Sequence, residues 1–123
     1  MKGELAKRED VRSLPVITID GLDAKDLDDA ISIEHTEGGW WRLGVHIADV
    51  STYTPQWSPL DREAADRWTS IYISGGVIPM LPEILSNDHC SLSSETDKLT
   101  LSAWMDYDKN GKFISVRISE TII

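Results

Sequence analysis

Leu14-Pro-Val-Ile-Thr-Ile-Asp20-Gly-Leu-Asp23-Ala-Lys-Asp26-Leu-Asp28-Asp29-Ala-Ile-Ser-Ile-Glu34 sets five aspartates between two strand-like runs. The first run, residues 14–19, is rich in β-branched side chains and ends on Asp20, so Asp20 is expected where a strand stops. The second, residues 30–34, alternates apolar and polar as a half-buried strand does. The acidic loop therefore joins two strands and has its ends held by a sheet. Asp28 and Asp29 are adjacent, and in extended chain such neighbours point to opposite faces. They share one site only if the loop curls before the second strand starts, or if two ions are spread along the rim.

Like charges about 4 Å apart repel by roughly 4 kcal/mol at an effective dielectric near 20. Converging carboxylates thus need protons or a cation. Oxygen-only ligands favour a hard ion such as Mg²⁺, which takes one or two carboxylates and completes its shell with waters or substrate phosphate. The plain alternative is a solvated acidic loop. Tight hydrophobic anchors on both sides favour a site.

Further along, residues 41–48 form a strand with apolar odd positions and mixed even ones. His46 lies on the mixed face and reads as a satisfied structural histidine. Asp49 follows directly and either braces the loop from behind or makes a turn. Ser58 is a helix N-cap with Pro59 at the first position, and Leu60, Ala64, Ala65 and Trp68 share a face, which predicts a helix over 59–68. Residues 81–87 predict a single helical turn. Gly38-Gly39 and Gly75-Gly76 mark turns.

Asp106-Tyr-Asp-Lys-Asn-Gly111 starts like a calcium loop, but its twelfth position is Arg117 instead of a bidentate Glu. Alternating strands on either side make Asn110-Gly111 a hairpin turn. His89-Cys90 is no nucleophile pair, because adjacent side chains seldom meet productively. The fold class is α+β, mostly antiparallel strands and hairpins with two short helices.

The stretch Thr18-Ile-Asp-Gly-Leu-Asp-Ala-Lys-Asp-Leu-Asp-Asp-Ala30 resembles the signature of the RNB domain, the catalytic domain of ribonucleases II and R. The likeness continues through Val45-His-Ile-Ala-Asp-Val-Ser51, Pro59-Leu-Asp-Arg-Glu-Ala64, Thr69-Ser-Ile-Tyr72 and Val77-Ile-Pro-Met-Leu-Pro-Glu-Ile-Leu-Ser-Asn87. It ends with Cys90-Ser-Leu92 and Asp97-Lys-Leu99, in the family's order. The resemblance implies a Mg²⁺-dependent hydrolase, with one ion or two during catalysis, that removes nucleoside 5′-monophosphates from the 3′ end of single-stranded RNA. It also implies that Asp20, Asp26, Asp28 and Asp29 form the catalytic and metal-binding set, and that Tyr72 packs against the terminal nucleotide. Asp23 falls where the family varies and is left out. Stacking on an aromatic ring contributes roughly 1–3 kcal/mol per base with little sequence preference, which suits such an enzyme.

The chain has 123 residues, enough for one domain, with 41% hydrophobic content to build a core. No apolar run is long enough to span a membrane. A single cysteine fits a reducing cytoplasm. The net charge of −9 is unusual for an RNA binder, since basic side chains normally supply phosphate affinity.

Two departures from the family bear on this. The chain resembles the N-terminal part of the RNB domain, with residues 1–7 as a flexible leader. The OB-fold domains of whole enzymes, and a later arginine with further acidic residues, fall outside it, so weak or absent activity is expected of the chain alone. Trp68 stands where the family usually has a small residue, and one expectation is that it fills space otherwise taken by the rest of the domain. Ile123 is expected to end on a partly unpaired strand edge. A non-catalytic metal- or RNA-binding module is the alternative reading.

Overall fold

A computed structural model describes residues 6–123 of the chain. The leader expected over residues 1–7 thus falls largely outside the described residues. Eight strands are present among them: β1 (Glu9–Asp10), β2 (Val16–Ile17), β3 (Asp29–His35), β4 (Trp41–Ala48), β5 (Ile71–Ile73), β6 (Gly76–Ile78), β7 (Leu99–Tyr107) and β8 (Phe113–Ile122). Six make one sheet in the order β1-β8-β7-β4-β3-β2, while β5 and β6 pair separately. Only the β1–β8 pairing is parallel. The α+β expectation with dominant antiparallel hairpins is met.

The hairpins close where turn chemistry directs. Between β3 and β4, Gly39 adopts φ +78° and donates its N–H to the Thr36 carbonyl at 2.9 Å. Between β7 and β8, the Asp108 carboxylate accepts from the N–H groups of Asn110 (2.8 Å) and Lys112 (2.9 Å), with Gly111 at φ +79°. This is the expected hairpin, and no calcium loop. The β5–β6 turn uses Gly75 at φ +90°.

Helix α1 (Pro59–Arg67) starts as read, with Ser58 Oγ accepting from the Asp61 N–H at 3.1 Å. It stops one residue short of the expected Trp68, which lies in the left-handed region at φ +68° and donates its N–H to Ala64. The helical turn expected over 81–87 is present, with the Leu85 and Ser86 N–H groups donating to the Pro82 carbonyl at 2.8 and 3.2 Å, and it runs on through Leu85–His89. It is a wide turn in which the Cys90 N–H reaches back five residues to Leu85 at 2.8 Å. A 3₁₀ turn at Val50–Thr52 had no sequence signal.

Strand β2 is only Val16–Ile17, shorter than the run at 14–19. Asp20 therefore sits three residues past the last paired position and not at the strand end. The expectation of an unpaired edge at Ile123 is also corrected. Ile123 and Lys98 exchange two backbone hydrogen bonds of 3.0 Å, and β1 pairs alongside the end of β8. An ion pair from Arg117 to Glu9 (2.7 Å) and a Ser119–Glu9 hydrogen bond (2.9 Å) hold β1 there.

The core joins Ala30, Ala48, Cys90 and Leu92, with Leu27, Val50 and Leu85 packed against it. Next to it one face of the sheet buries a polar chain. His46 Nε2 meets Ser32 Oγ at 2.9 Å and Nδ1 meets Ser102 Oγ at 2.6 Å, and Ser102 continues to Thr121 and Thr100. His46 is fully buried, as a structural histidine should be. Gly44 makes room for it, because a Cβ there would lie 2.5 Å from Ser32 Oγ and 2.8 Å from His46 Nε2.

Candidate active site

The acidic loop runs from the end of β2 to the start of β3 and is pinned near its middle. Ser91 Oγ accepts from the Leu27 N–H at 3.1 Å and donates to the Lys25 carbonyl at 2.8 Å. The Leu92 N–H donates to the Leu27 carbonyl at 2.8 Å. Leu27 is thereby held against the core, between a half-buried Asp26 and an exposed Asp28. Ser91 is itself buried, as a polar group with both hydrogen bonds made can be. No motif reading singled it out. The signal was available in Cys90-Ser-Leu92, a polar residue between two apolar ones directly after a helical turn.

Asp29 is the first residue of β3, opposite Ile47, and the Asp28 carbonyl accepts from the Ala48 N–H at 2.9 Å. The two aspartates therefore close the end of the β3–β4 ladder. Asp26 is half-buried, while Asp20, Asp28 and Asp29 are exposed. Desolvation against the wall behind it, followed by the charges of Asp26, Asp29 and Asp20, holds the Asp28 carboxyl above its ordinary range. Three of the four sequence-selected aspartates thus act on the fourth. Asp23, left out of the set, is not among those acting on Asp28. Among the described residues, no three Asp, Glu, His or Cys side chains converge closely enough to share an ion.

Tyr72, in the middle of β5, faces the loop and donates its hydroxyl to Asp26 Oδ2. That bond holds the phenol above its usual value, so Tyr72 is a neutral donor at physiological pH. Two open clefts of about 490 and 510 Å³ flank this contact, and Asp26, Ser70, Tyr72 and Ser86 line both. The first cleft also has Asp28, Ala48 and Trp68 on its walls. Trp68 fills no interior space, since the residue is 85% exposed.

Two neighbours prove structural. Asp49 is turned away from the loop, accepting from Arg8 (2.5 Å), Ser51 (2.5 Å) and Thr52 (3.0 Å). The turn reading of Asp49 holds, and the bracing one does not. His89 stacks on Tyr53 with ring centroids 5.9 Å apart, and burial followed by the nearby Asp28 charge pushes the Cys90 thiol up. That pair offers no nucleophile.

An acidic loop carried on a sheet end, with a tyrosine hydroxyl bonded to it across a double cleft, can be set against known proteins. The family model for the RNB domain matches residues 8–123. The chain belongs to the RNB family. It is 49% identical to ribonuclease R 1 of Lactococcus lactis over 122 residues, covering 99% of this chain and 15% of that protein. Its structure matches that of Mycoplasma genitalium RNase R in complex with double-stranded RNA, with a TM-score of 0.91 and 35% identity. That match covers 99% of this chain and 22% of the RNase R chain. Yeast Ssd1, described as a pseudonuclease, shares the fold at a TM-score of 0.89 and 21% identity, covering 100% of this chain and 15% of its own. The chain thus spans about a seventh of the ribonuclease R relative it matches. Among the described residues, no helix of this RNB chain is long and apolar enough to cross a membrane.

Proposed function

We propose that this chain is the metal-binding part of a Mg²⁺-dependent 3′-to-5′ exoribonuclease, acting on single-stranded RNA in the cytoplasm and releasing nucleoside 5′-monophosphates. The observation that carries the reading is the Tyr72 hydroxyl bonded to Asp26 at a cleft that Asp28 also lines, with the charges of Asp26, Asp29 and Asp20 bearing on Asp28. Likeness of fold alone does not carry it, because a pseudonuclease shares the fold.

The donor set fits a hard cation. All four side chains offer oxygen, and the charges of Asp26, Asp29 and Asp20 bearing on Asp28 favour positive charge there. Mg²⁺ needs only one or two protein carboxylates, which is compatible with a site where no three acidic groups converge. When bound, such ions activate a water and neutralise charge on the phosphate. The chain's own residues do the rest. Asp20, Asp26, Asp28 and Asp29 would hold the ions, the Ser91 anchor fixes the loop, and the Tyr72 ring offers a face to the terminal base.

With 21 acidic and 12 basic residues, the chain supplies little phosphate affinity of its own. In this reading it takes RNA grip and further catalytic groups from the rest of the RNB domain and from OB-fold domains, and is weak or inactive alone. The test uses 5′-labelled single-stranded RNA with and without Mg²⁺. The proteins are the chain alone and a chimera in which it replaces the matching segment of the Lactococcus lactis enzyme. A metal-dependent ladder shrinking from the 3′ end is expected of the chimera and should vanish with Asp28→Asn. Undiminished cleavage in that variant would refute the site assignment.

A further inference from the structure

We infer that the Tyr72 hydroxyl, separately from its ring, is a positioning group that orients Asp26 and leaves its second carboxylate oxygen turned toward a divalent cation. This rests on the metal reading above and deepens it. Three observations carry it. The hydroxyl donates to one named oxygen, Asp26 Oδ2, across 46 positions of sequence. Strands β5 and β6 are exposed at every residue, so the bond joins the loop to an exposed hairpin that lies outside the core. Asp26 and Tyr72 both line the two clefts, which puts the bond on the wall between them.

The chemistry distinguishes orientation from blockage. An ionised carboxylate has about four lone-pair sites, and one phenol hydroxyl occupies one of them. Oδ1 stays available, with its direction set by the bond at Oδ2. Hydrogen bonds of this kind behind a metal ligand are worth about 10–100-fold in metal affinity. Tyr72 then carries two separable functions. Phenylalanine at this position keeps the aromatic face for a base and removes only the donor to Asp26.

The experiment is a Mn²⁺ titration of the purified chain, read by the electron paramagnetic resonance of free Mn²⁺, for wild type and Tyr72→Phe. Thermal melts by circular dichroism are recorded without metal. The expected result is Mn²⁺ binding about 10-fold weaker in Tyr72→Phe, with an unchanged metal-free melting temperature. Equal or tighter binding in the variant overturns the positioning role and leaves the metal reading standing. Weaker binding accompanied by a lowered metal-free melting temperature also overturns it, since a general loosening of the fold then accounts for the loss. A wild-type chain that takes up no Mn²⁺ overturns the metal reading and this inference together.

Discussion

Ser91 holds Leu27 from two sides, accepting its N–H at 3.1 Å and being joined through the Leu92 N–H to its carbonyl at 2.8 Å. Leu27 separates Asp26 from Asp28, so this relationship sets where both carboxylates can be. Ser91→Ala removes the hydroxyl and leaves the Leu27 N–H and Lys25 carbonyl without it. A cost of about 1–3 kcal/mol is expected, measured by urea unfolding. Hydrogen exchange should rise at Leu27 while the β4–β7 ladder keeps its protection. A variant with unchanged exchange at Leu27 would show that Leu92 alone secures the loop.

Asp28 should trade stability for function. Its folded carboxyl pKa lies above the unfolded value, first through desolvation and then through Asp26, Asp29 and Asp20. The unfolded chain therefore gives up this proton at lower pH than the folded chain. Stability falls as pH rises from the unfolded pKa to the folded one, and the penalty persists above both. Asp28→Asn is expected to raise the melting temperature at pH 7 and to leave it unchanged near pH 3, where both forms are neutral. The gain should shrink when Mg²⁺ is added, because the cation stabilises only the wild-type carboxylate. Calorimetry at both pH values, with and without Mg²⁺, checks each arm.

Much of this was legible locally, and what was not depends on distant partners. Alternation placed β3, β4, β7 and β8, and the β-branched and alternating anchors around the aspartates placed the loop. The length of β2 could not be read from its β-branched run, because pairing stops after Val16–Ser32 and Ile17–Ile31 although β3 itself continues to Asp29. The closed face of the sheet was equally hidden. Apolar Ile33, Ile47, Leu101 and Ile118 remain exposed, while Ser32, His46, Ser102 and Thr121 are buried. Hydrophobic period gives the phase of a strand, but here hydrogen bonding lets the more polar phase go inside. Trp68 ended the helix through a left-handed backbone that its residue type does not announce. The four aspartates were proposed from spacing and resemblance, whereas Ser91 and the Tyr72–Asp26 bond needed three dimensions.

Arg8 should be far more sensitive to substitution than Arg12. Arg8 is buried with its guanidinium on Asp49, Thr52 and the Thr100 carbonyl. Arg12 bonds Asp10 and Asp97 at the surface. Removing one partner of a buried pair costs about 3–5 kcal/mol, against roughly 0–1 kcal/mol for an exposed pair. Arg8→Ala is expected near the lower end of the first range, because Ser51 and Thr52 still hold Asp49. Urea unfolding of Arg8→Ala and Arg12→Ala side by side measures the contrast, and equal losses would deny the buried pair its role.

His46 should make the fold acid-sensitive well above the carboxylate range. Desolvation holds its imidazole pKa below the ordinary value, and the groups facing it are Ser32, Ser102 and the edge of Trp104, none of them anionic. The unfolded chain binds this proton first as pH falls, so the unfolded state is favoured progressively below about 6.5. The loss continues until the folded pKa is reached and then levels off for this group. Asp49 behaves differently. Burial alone would raise its carboxyl, but hydrogen bonds from Ser51, Arg8 and Thr52 outweigh burial and hold it low. Its contribution is therefore lost only at more acidic pH, as pH falls through the lowered value. Unfolding free energy measured from pH 7.5 to 5 should decline in wild type, and the decline should flatten in His46→Gln, whose amide does not titrate. An identical slope in the two proteins would assign the acid sensitivity to another group.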